Sequence, residues 1–320
     1  MERSTLVRVD RAKWVAECME LAILLEVSAH KPGNVSVVTN FEHTRYEHFL
    51  ASAAASYASF EYAAQQGTRV SHRKMSVSDV ALGRIIRNCI AEIDAWQRGG
   101  NTLLGAVILL SPIAVAAGMN LADDGQIDLL ALRKDVATVV ESTTPEDAVD
   151  VYEAIGIANP SGLNEAPDLD VNDSGSIKKI IDERISLFEV FRIAEKYDNI
   201  CSEWVNNYPI TFDYAYPSLN KQLINGKELT ASTIQTFLEV LAEYPDTFIA
   251  RKAGVKKARM VSSEARAVLN CGSLETVIGR RSLNEFDKRL RAQSNLLNPG
   301  TTADIIAATL SLCILGGYRP

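Results

Sequence analysis

Residues 103–119 read Leu-Leu-Gly-Ala-Val-Ile-Leu-Leu-Ser-Pro-Ile-Ala-Val-Ala-Ala-Gly-Met, an uncharged and strongly apolar stretch. The stretch is shorter than the roughly 20 residues that a membrane-spanning helix needs, and Pro112 interrupts it. It therefore predicts a helix buried at the centre of a globular protein, with no membrane association.

Apolar residues recur at helical spacing on both sides of this stretch, while the alternation typical of half-buried strands is almost absent. The sequence thus predicts an all-α fold. Residues 159–175 form the longest irregular stretch, which we interpret as a functional loop within one domain over residues 1–320; a domain split near this loop is the alternative. The first predicted helix ends near His30, the second covers about 46–66, and the third runs from a Ser78 cap to Gly99. A further helix starts at Thr144, and the remaining ones cover 176–207, 218–223, 230–243, 246–253, 262–269, 283–294 and 302–315.

The composition narrows the class of protein. The 320 residues are 47% apolar and carry a net charge of −7, which excludes a disordered chain and disfavours a nucleic-acid binder, because phosphate binding needs a basic face. The five cysteines form no CxxC pair, and the first 14 residues lack the hydrophobic core of a secretion signal. We expect a cytoplasmic protein with free thiols, and a homo-oligomer is possible.

Three short polar motifs lie where predicted helices begin or end. Glycine allows a ligand to approach the backbone, free N–H groups at a helix start bind anions, and a lysine suits phosphate. The motifs thus favour phosphate binding, although each could simply be a helix cap or a turn. The candidate binding residues are Lys31, Gly33, Asn34, Asn101, Thr102, Asn298, Gly300, Thr301 and Thr302.

Two further groups of charged residues are candidates. Arg251 and Lys252 precede Gly254, as expected either for a phosphate site or for cations at a helix C-terminus. The run that starts at Asp170 imitates a calcium loop, but its twelfth position is Ile181 instead of glutamate, so an EF-hand is rejected. A contact of Asp168 and Asp170 with a magnesium–triphosphate and a solvated acidic loop both remain open.

Together these segments resemble the triphosphoribosyl-dephospho-CoA synthase family, and the order of the motifs looks closest to its archaeal-type branch. The resemblance implies an all-α, cytoplasmic transferase that takes ATP, releases adenine, and joins the 5-triphosphoribosyl group to a hydroxyl of dephospho-CoA. The matching segments are 25–26, 31–34, 100–105, 147–155, 160–163, 170–171, 251–254 and 297–304.

The implied reaction assigns roles to the candidates. Cleavage of a ribosyl–adenine bond passes through an oxocarbenium-like state, by analogy with glycoside cleavage. Lys31, Arg251, Lys252 and Mg²⁺ suit the triphosphate, and Asn101, Asn298 and Thr301 suit the ribose and base. Glu26, Asp147 or Asp304 could be the general base, and the sequence does not choose among them.

One departure from the family pattern leaves alternatives open. His43 and His48 stand where the resemblance implies carboxylates. The two histidines are the hint of a non-catalytic nucleotide-binding protein. The likeness to the archaeal-type branch leaves open transfer to another alcohol, such as the ribitol part of a methanopterin-like cofactor precursor.

Overall fold

The apolar stretch at the centre of the sequence forms a buried helix, α4 (Leu104–Met119). The structure is a computed structural model, and it describes residues 10–120, 126–162, 168–292 and 295–320. Across these ranges no helix combines the length and the apolar character that a membrane crossing requires. The prediction of a buried central helix is confirmed.

The fold is all-α, as predicted: within the described ranges no strand forms, and Ser36 and Thr39 make an isolated antiparallel bridge. A 3₁₀ turn (Val77–Val80) and a π-helical segment (Ile210–Ala215) interrupt the α-helices. The other helices are α1 (Arg11–Ser28), α2 (Tyr46–Ser71), α3 (Leu82–Trp96), α5 (Leu129–Glu141), α6 (Pro145–Ala158), α7 (Ser174–Asp182), α8 (Leu187–Ala194), α9 (Asn199–Val205), α10 (Tyr216–Ile224), α11 (Leu229–Glu243), α12 (Thr247–Ala253), α13 (Val255–Asn270), α14 (Val277–Arg291) and α15 (Gly300–Leu315).

Pro112 lies inside α4, where its missing N–H leaves the carbonyl of Ile108 without its helical donor. The indole Nε1 of Trp204 donates to that carbonyl oxygen at 3.1 Å. The hydroxyl of Tyr208 donates to the next carbonyl, that of Leu109, also at 3.1 Å. Trp204 in α9 therefore satisfies the carbonyl that the proline leaves without a donor in the middle of an apolar helix, and Tyr208, just after α9, binds the carbonyl beside it.

The π-helical segment begins on a buried carboxylate. Glu203 accepts hydrogen bonds from the backbone N–H groups of Ile210 at 2.8 Å and Thr211 at 2.9 Å. Burial raises the pKa of Glu203 to about 7, and the hydrogen bonds from Thr211 and Ile210 oppose the rise.

Small residues let α2 and α4 approach closely. A Cβ atom on Gly118 would lie 2.1 Å from the carbonyl oxygen of Ala64, and the Thr68 hydroxyl donates to the carbonyl of Gly118 at 3.1 Å. α2 also packs against α1 and α3, while α15 packs against both α1 and α4. This arrangement brings the C-terminal end of α1 and the N-terminal ends of α4 and α15 together.

The structure corrects several helix boundaries. Instead of one helix over 176–207 it has α7, α8 and α9, because Arg184 adopts a left-handed conformation (φ 54°) and new caps begin at Ser186 and Asp198. Ser78 does not cap α3 as predicted: it lies inside the 3₁₀ turn, whose N-cap residue is Ser76, and Ala81 (φ 54°) separates this turn from α3. The helix α5 was not predicted.

The predicted functional loop lies between α6 and α7, over residues 159–173. Residues 163–167, including Leu163 of the matching segments, lie outside the described residues, as do Ser294 of the predicted helix 283–294 and most of the segment inspected for a secretion signal. One continuous apolar core contains side chains from α1 to α15. The single-domain interpretation stays a prediction.

Candidate active site

A buried ion pair lies where α1 ends. The ammonium Nζ of Lys31 is 2.9 Å from a carboxylate oxygen of Glu26, and neither side chain is more than 8% exposed. Nζ also donates to the backbone carbonyls of Glu26 and of Ala29, the latter at 3.0 Å. The ammonium group thus makes two hydrogen bonds to backbone carbonyls and one ion pair, all of them buried.

This geometry differs from the expectation for Lys31. The side chain does not face an open surface, and it fastens the 30–34 loop to the end of α1. Binding of a phosphate by Lys31 would require the ammonium group to exchange its present partners, including the buried carboxylate of Glu26.

Asp304 projects from α15 onto the start of α4. Its carboxyl accepts the backbone N–H of Ala106, in the first turn of α4, where helical N–H groups lack partners. A Cβ atom on Gly105 would lie 2.1 Å from a carboxyl oxygen of Asp304. A glycine is therefore required at position 105 for Asp304 to reach the helix. Asp304 also keeps some solvent exposure, which leaves it accessible to a ligand.

Three carboxyl groups in this region influence one another. The pKa of Asp304 is raised well above its ordinary value, chiefly by burial and then by the charges of Glu26 and Asp246. Burial also raises the pKa of Glu26, against the opposing charge of Lys31, and it raises the pKa of Asp246. Asp304 therefore holds a proton more tightly than an ordinary aspartate, as a group that transfers protons near neutral pH must.

Asp246 joins α12 to α15. One carboxyl oxygen accepts the N–H of Ile249 at 2.9 Å, and the other accepts the N–H and the hydroxyl of Thr302 at 2.7 and 2.8 Å. The hydroxyl of Thr301 accepts the N–H of Phe248 at 3.2 Å. Thr301 and Thr302, expected to bind substrate, thus connect the first turns of two helices.

Arg251 and Lys252 both lie close to one aromatic ring. The centroid of Phe248 is 5.6 Å from Cζ of Arg251 and 4.7 Å from Nζ of Lys252. Arg251 pairs with Asp198, and Lys252 donates to the carbonyl of Asn295 at 2.9 Å. Burial lowers the pKa of Lys252, and the charge of Asp246 opposes this.

The functional loop approaches the same cations. Gly162 has a φ of 80°, and a Cβ atom there would lie 2.7 Å from Cγ of Lys252. This contact places the described part of the 159–173 loop beside α12, as the resemblance implies.

The 30–34 loop contacts the 298–304 segment directly. Gly33 (φ 75°) has no room for a Cβ atom, which would lie 3.0 Å from Cδ of Pro299. Its N–H donates to Asp287 at 2.8 Å, and the amide of Asn34 donates to the carbonyl of Pro32 at 3.2 Å. In the 298–304 segment, the backbone carbonyl of Asn298 accepts the N–H of Gly300 at 3.0 Å.

The 99–102 loop leads into α4. Asn101 is exposed, and its side-chain oxygen accepts the N–H of Leu104 at 3.1 Å, so it caps the helix on which Asp304 is seated. The hydroxyls of Thr102 and Ser52 are 2.8 Å apart. His48 lies against this loop, and its Nδ1 accepts the N–H of Arg45 at 3.1 Å.

The structure does not bring Asp147 into this group. Asp147 accepts the N–H groups of Gly83 and Thr144, both at 2.8 Å, and so caps α6 and fixes it against α3. The Asn101 loop instead borders a crevice beside Ala158, at the other end of α6. Asp147 and Ala158 are eleven residues apart along α6, which corresponds to about 16 Å.

Asp168 and Asp170 lie in the functional loop. Asp168 is 2.8 Å from Nζ of Lys179, and Asp170 accepts the N–H of Asn172 at 2.7 Å. In the part of the chain that the structure describes, no three histidine, cysteine, aspartate or glutamate side chains cluster as metal ligands. The metal role of these two residues stays a prediction, as does the identity of the general base.

Sequence reasoning overlooked two residues of the cluster. Asp246 was read only as the start of a helix, and Phe248 was not singled out. The order Asp-Thr-Phe before two cations is visible in the sequence, but only the fold shows that Asp246 contacts Thr302 and that both cations lie close to the ring of Phe248.

Comparison with known proteins identifies the family of this all-α protein. The model of the CitG family, ATP:dephospho-CoA triphosphoribosyl transferase, matches residues 12–320. A protein of Malonomonas rubra named "Probable 2-(5''-triphosphoribosyl)-3'-dephosphocoenzyme-A synthase" is 24% identical over 96% of this chain and 89% of its own length. One of the same name from Pseudomonas savastanoi pv. phaseolicola is 24% identical over 75% of this chain and 68% of its own.

A solved structure supports the fold. The crystal structure of an Archaeoglobus fulgidus protein, assigned as a triphosphoribosyl-dephospho-CoA synthase, superposes with a TM-score of 0.61 at 20% identity. It covers 84% of this chain and all of its own. The chain belongs to the ATP:dephospho-CoA triphosphoribosyl transferase family, because the family model spans nearly its whole length.

Proposed function

We propose that this protein transfers the 5-triphosphoribosyl group of ATP to a hydroxyl of 3'-dephospho-CoA and releases adenine. The observation that carries the proposal is the contact between the Asp304 carboxyl and the first turn of α4. There a carboxyl group of raised pKa lies beside Glu26 and keeps some exposure. The family's reaction needs such a group.

The proton balance of the reaction fits a single carboxyl group. The bond between ribose C1 and adenine N9 breaks, and the adenine needs a proton. A bond then forms between C1 and the acceptor oxygen, whose hydroxyl proton has to leave. A protonated Asp304 donates to adenine and, as a carboxylate, accepts the hydroxyl proton. The proton lost by the acceptor thus replaces the one that adenine took, and the enzyme is restored.

Glu26 and Asp246 support this role electrostatically. Their negative charges make loss of the Asp304 proton unfavourable, while the N–H of Ala106 stabilises the carboxylate once it forms. Asp147, whose carboxyl caps α6, is not assigned a catalytic role in this proposal.

The triphosphate is assigned to the cationic end of α12. Lys252 and Arg251 lie beside the functional loop, and α15 begins nearby at Gly300. Charge-assisted hydrogen bonds from these side chains suit phosphate oxygens. Lys31 contributes indirectly by holding Glu26 and the 30–34 loop in position.

Magnesium is part of the proposal as a substrate partner of ATP. Since Mg²⁺ usually keeps several waters and is bound through substrate phosphates and one or two carboxylates, a cluster of three protein ligands is not needed. We also place the enzyme in the cytoplasm, and the five free cysteines, four of them buried, support a reducing compartment.

The test is adenine release measured by chromatography with ATP, Mg²⁺ and dephospho-CoA. We expect acceptor-dependent release in the parent and a loss of about 10²–10⁴-fold in Asp304→Asn. Asp182→Asn, which changes an exposed carboxylate on α7, is the matched control and should keep full activity.

Each outcome has a defined meaning. Turnover of Asp304→Asn close to that of the parent, with the same unfolding temperature, would refute the assigned proton transfer. Adenine release that requires another alcohol, such as a ribitol-bearing pterin, would show that this alcohol is the acceptor in place of dephospho-CoA. Binding of ATP without release under any acceptor would refute the transferase assignment for this chain.

A further inference from the structure

A cavity of about 380 Å³ lies between the C-terminal end of α2 and the N-terminal end of α3. Pockets for small ligands typically have volumes of about 300–1,000 Å³, so it has room for a small metabolite. The residues that matter for its chemistry are Gln66, Arg69, Lys74, Asp79, Arg84 and Ile85.

The cavity collects positive charge that the protein does not neutralise. Arg69, Lys74 and Arg84 form no ion pair within 4 Å with any described carboxylate. The acidic residue in the lining, Asp79, caps the 3₁₀ turn by accepting the N–H of Ser76 at 3.3 Å. All three cations are exposed residues, so an anion in solution can reach them.

Gln66 organises one side of the cavity. Its side chain is buried, with 3% of the residue exposed, and its oxygen accepts a hydrogen bond from Nη1 of Arg69 at 2.9 Å. A buried amide thus holds one of the cations in place, which lowers the entropy that a ligand would lose in ordering it.

The start of α3 borders the cavity. α3 follows Ala81, which has a φ of 54°, and has no acidic residue in its own first turn. Asp147 of α6 supplies a carboxylate to this turn, because it accepts the N–H of Gly83 at 2.8 Å. Arg84, in the same turn, is exposed and lines the cavity. The charge of Asp150 acts on Arg84, but its carboxylate pairs with Arg87.

The cavity is distant from the candidate active site. α3 has 15 residues and is about 22 Å long. The cavity lies at its beginning, whereas the Gly99–Thr102 loop follows its end. A ligand of ordinary metabolite size cannot bridge the two.

We propose that this cavity is a second anion site that binds a small molecule bearing a phosphate or polyphosphate group. Lys74 and Arg84 contact the anion, and Arg69, oriented by Gln66, supplies a third cation. The apolar side chain of Ile85 forms part of the wall against the body of the ligand. The proposal does not depend on the transferase reaction.

The test uses inorganic pyrophosphate as the probe and isothermal titration calorimetry as the measurement. The double variant Lys74→Ala/Arg84→Ala should bind pyrophosphate at this site at least tenfold more weakly than the parent. The matched control, Lys134→Ala/Lys178→Ala, removes two exposed charges elsewhere and should bind like the parent.

A thermal unfolding series separates this site from the α12 cations. Pyrophosphate should raise the melting temperature of Lys252→Ala, which keeps the cavity, and should raise that of Lys74→Ala/Arg84→Ala less. The cavity variant should melt no earlier than the parent without ligand, because it loses a cation from the first turn of α3. If Lys74→Ala/Arg84→Ala binds pyrophosphate like the parent, or if Lys252→Ala alone abolishes binding, the proposal is overturned.

Discussion

The most informative substitution is Gly105→Ala, because it moves one carboxyl group and little else. The new Cβ atom would lie 2.1 Å from a carboxyl oxygen of Asp304, and ordinary van der Waals contact begins near 3.4 Å. The carboxyl must therefore retreat by more than 1 Å, since it is the far end of a side chain and the backbone of α4 is not. The hydrogen bond from Ala106 is lost.

The expected effects on stability and on activity differ in size. Loss of one hydrogen bond costs about 0.5–1.5 kcal/mol, and alanine in place of a helical glycine restores roughly 0.5–1 kcal/mol. The free energy of unfolding should therefore change by no more than about 1 kcal/mol. A displacement of this size in a reacting group costs about 10²-fold in rate, so kcat for adenine release should fall by about that factor while KM for ATP changes little.

Gly156→Ala provides the control. Gly156 is a helical glycine in α6, and a Cβ atom there would have no heavy atom within 4 Å. This variant should be slightly more stable than the parent and equally active. Steady-state adenine release and chemical unfolding are measured on both variants. If Gly105→Ala keeps kcat within about threefold of the parent, the contact between the Asp304 carboxyl and α4 has no part in catalysis.

Three further outcomes follow from buried or charged groups. Lys31→Met leaves the buried carboxylate of Glu26 unpaired and should lower the free energy of unfolding by about 3–5 kcal/mol. Lys252→Met should instead weaken ATP binding about tenfold, or about 1.4 kcal/mol. Unfolding and ATP titrations that gave the reverse pattern would contradict this assignment. Burial raises the pKa of Glu203 to about 7 from an ordinary 4.5, so the folded state holds this proton more tightly than the unfolded state. The contribution of Glu203 to the free energy of unfolding should therefore fall by about 3 kcal/mol as the pH rises from 4.5 to 7. Unfolding titrations at several pH values check this, since Glu203→Gln should lack that dependence. Removal of Mg²⁺ with excess chelator should abolish adenine release, and restored Mg²⁺ should recover it; undiminished release in chelator would exclude a magnesium requirement.

The sequence predicted the fold class because helix formation leaves a periodic trace in local residue order. The apolar run in α4 and the spacing in α1 and α2 were sufficient. The breaks at Ala81 and Arg184 were not predictable, because neither residue type favours a left-handed conformation. They depend on packing between distant segments and on the caps that begin the next helices.

The sequence predicted that distant segments would meet, but not how their side chains would be arranged. Glu26, Lys31 and Asp304 were all named from sequence motifs, and the structure brings their segments together. The sequence could not show that the Lys31 ammonium group is buried against Glu26 and two backbone carbonyls, since free lysines and buried lysines look alike in a sequence. Nor could it show that Asp304 needs Gly105, because that contact joins residues 199 positions apart.

The meeting of α1, α4 and α15 also constrains when the protein can become active during synthesis. Glu26 leaves the ribosome early, and its neighbour Asp304 is added 278 residues later. Contacts of such sequence separation form slowly, and chains generally begin to fold from the N-terminus as they emerge. Until α15 is made, α1 and α4 expose the apolar faces that α15 will cover, and no assembled carboxyl cluster exists. In the proposed mechanism, α15 therefore both covers part of the hydrophobic core and completes the carboxyl cluster, so that a chain without α15 should release no adenine.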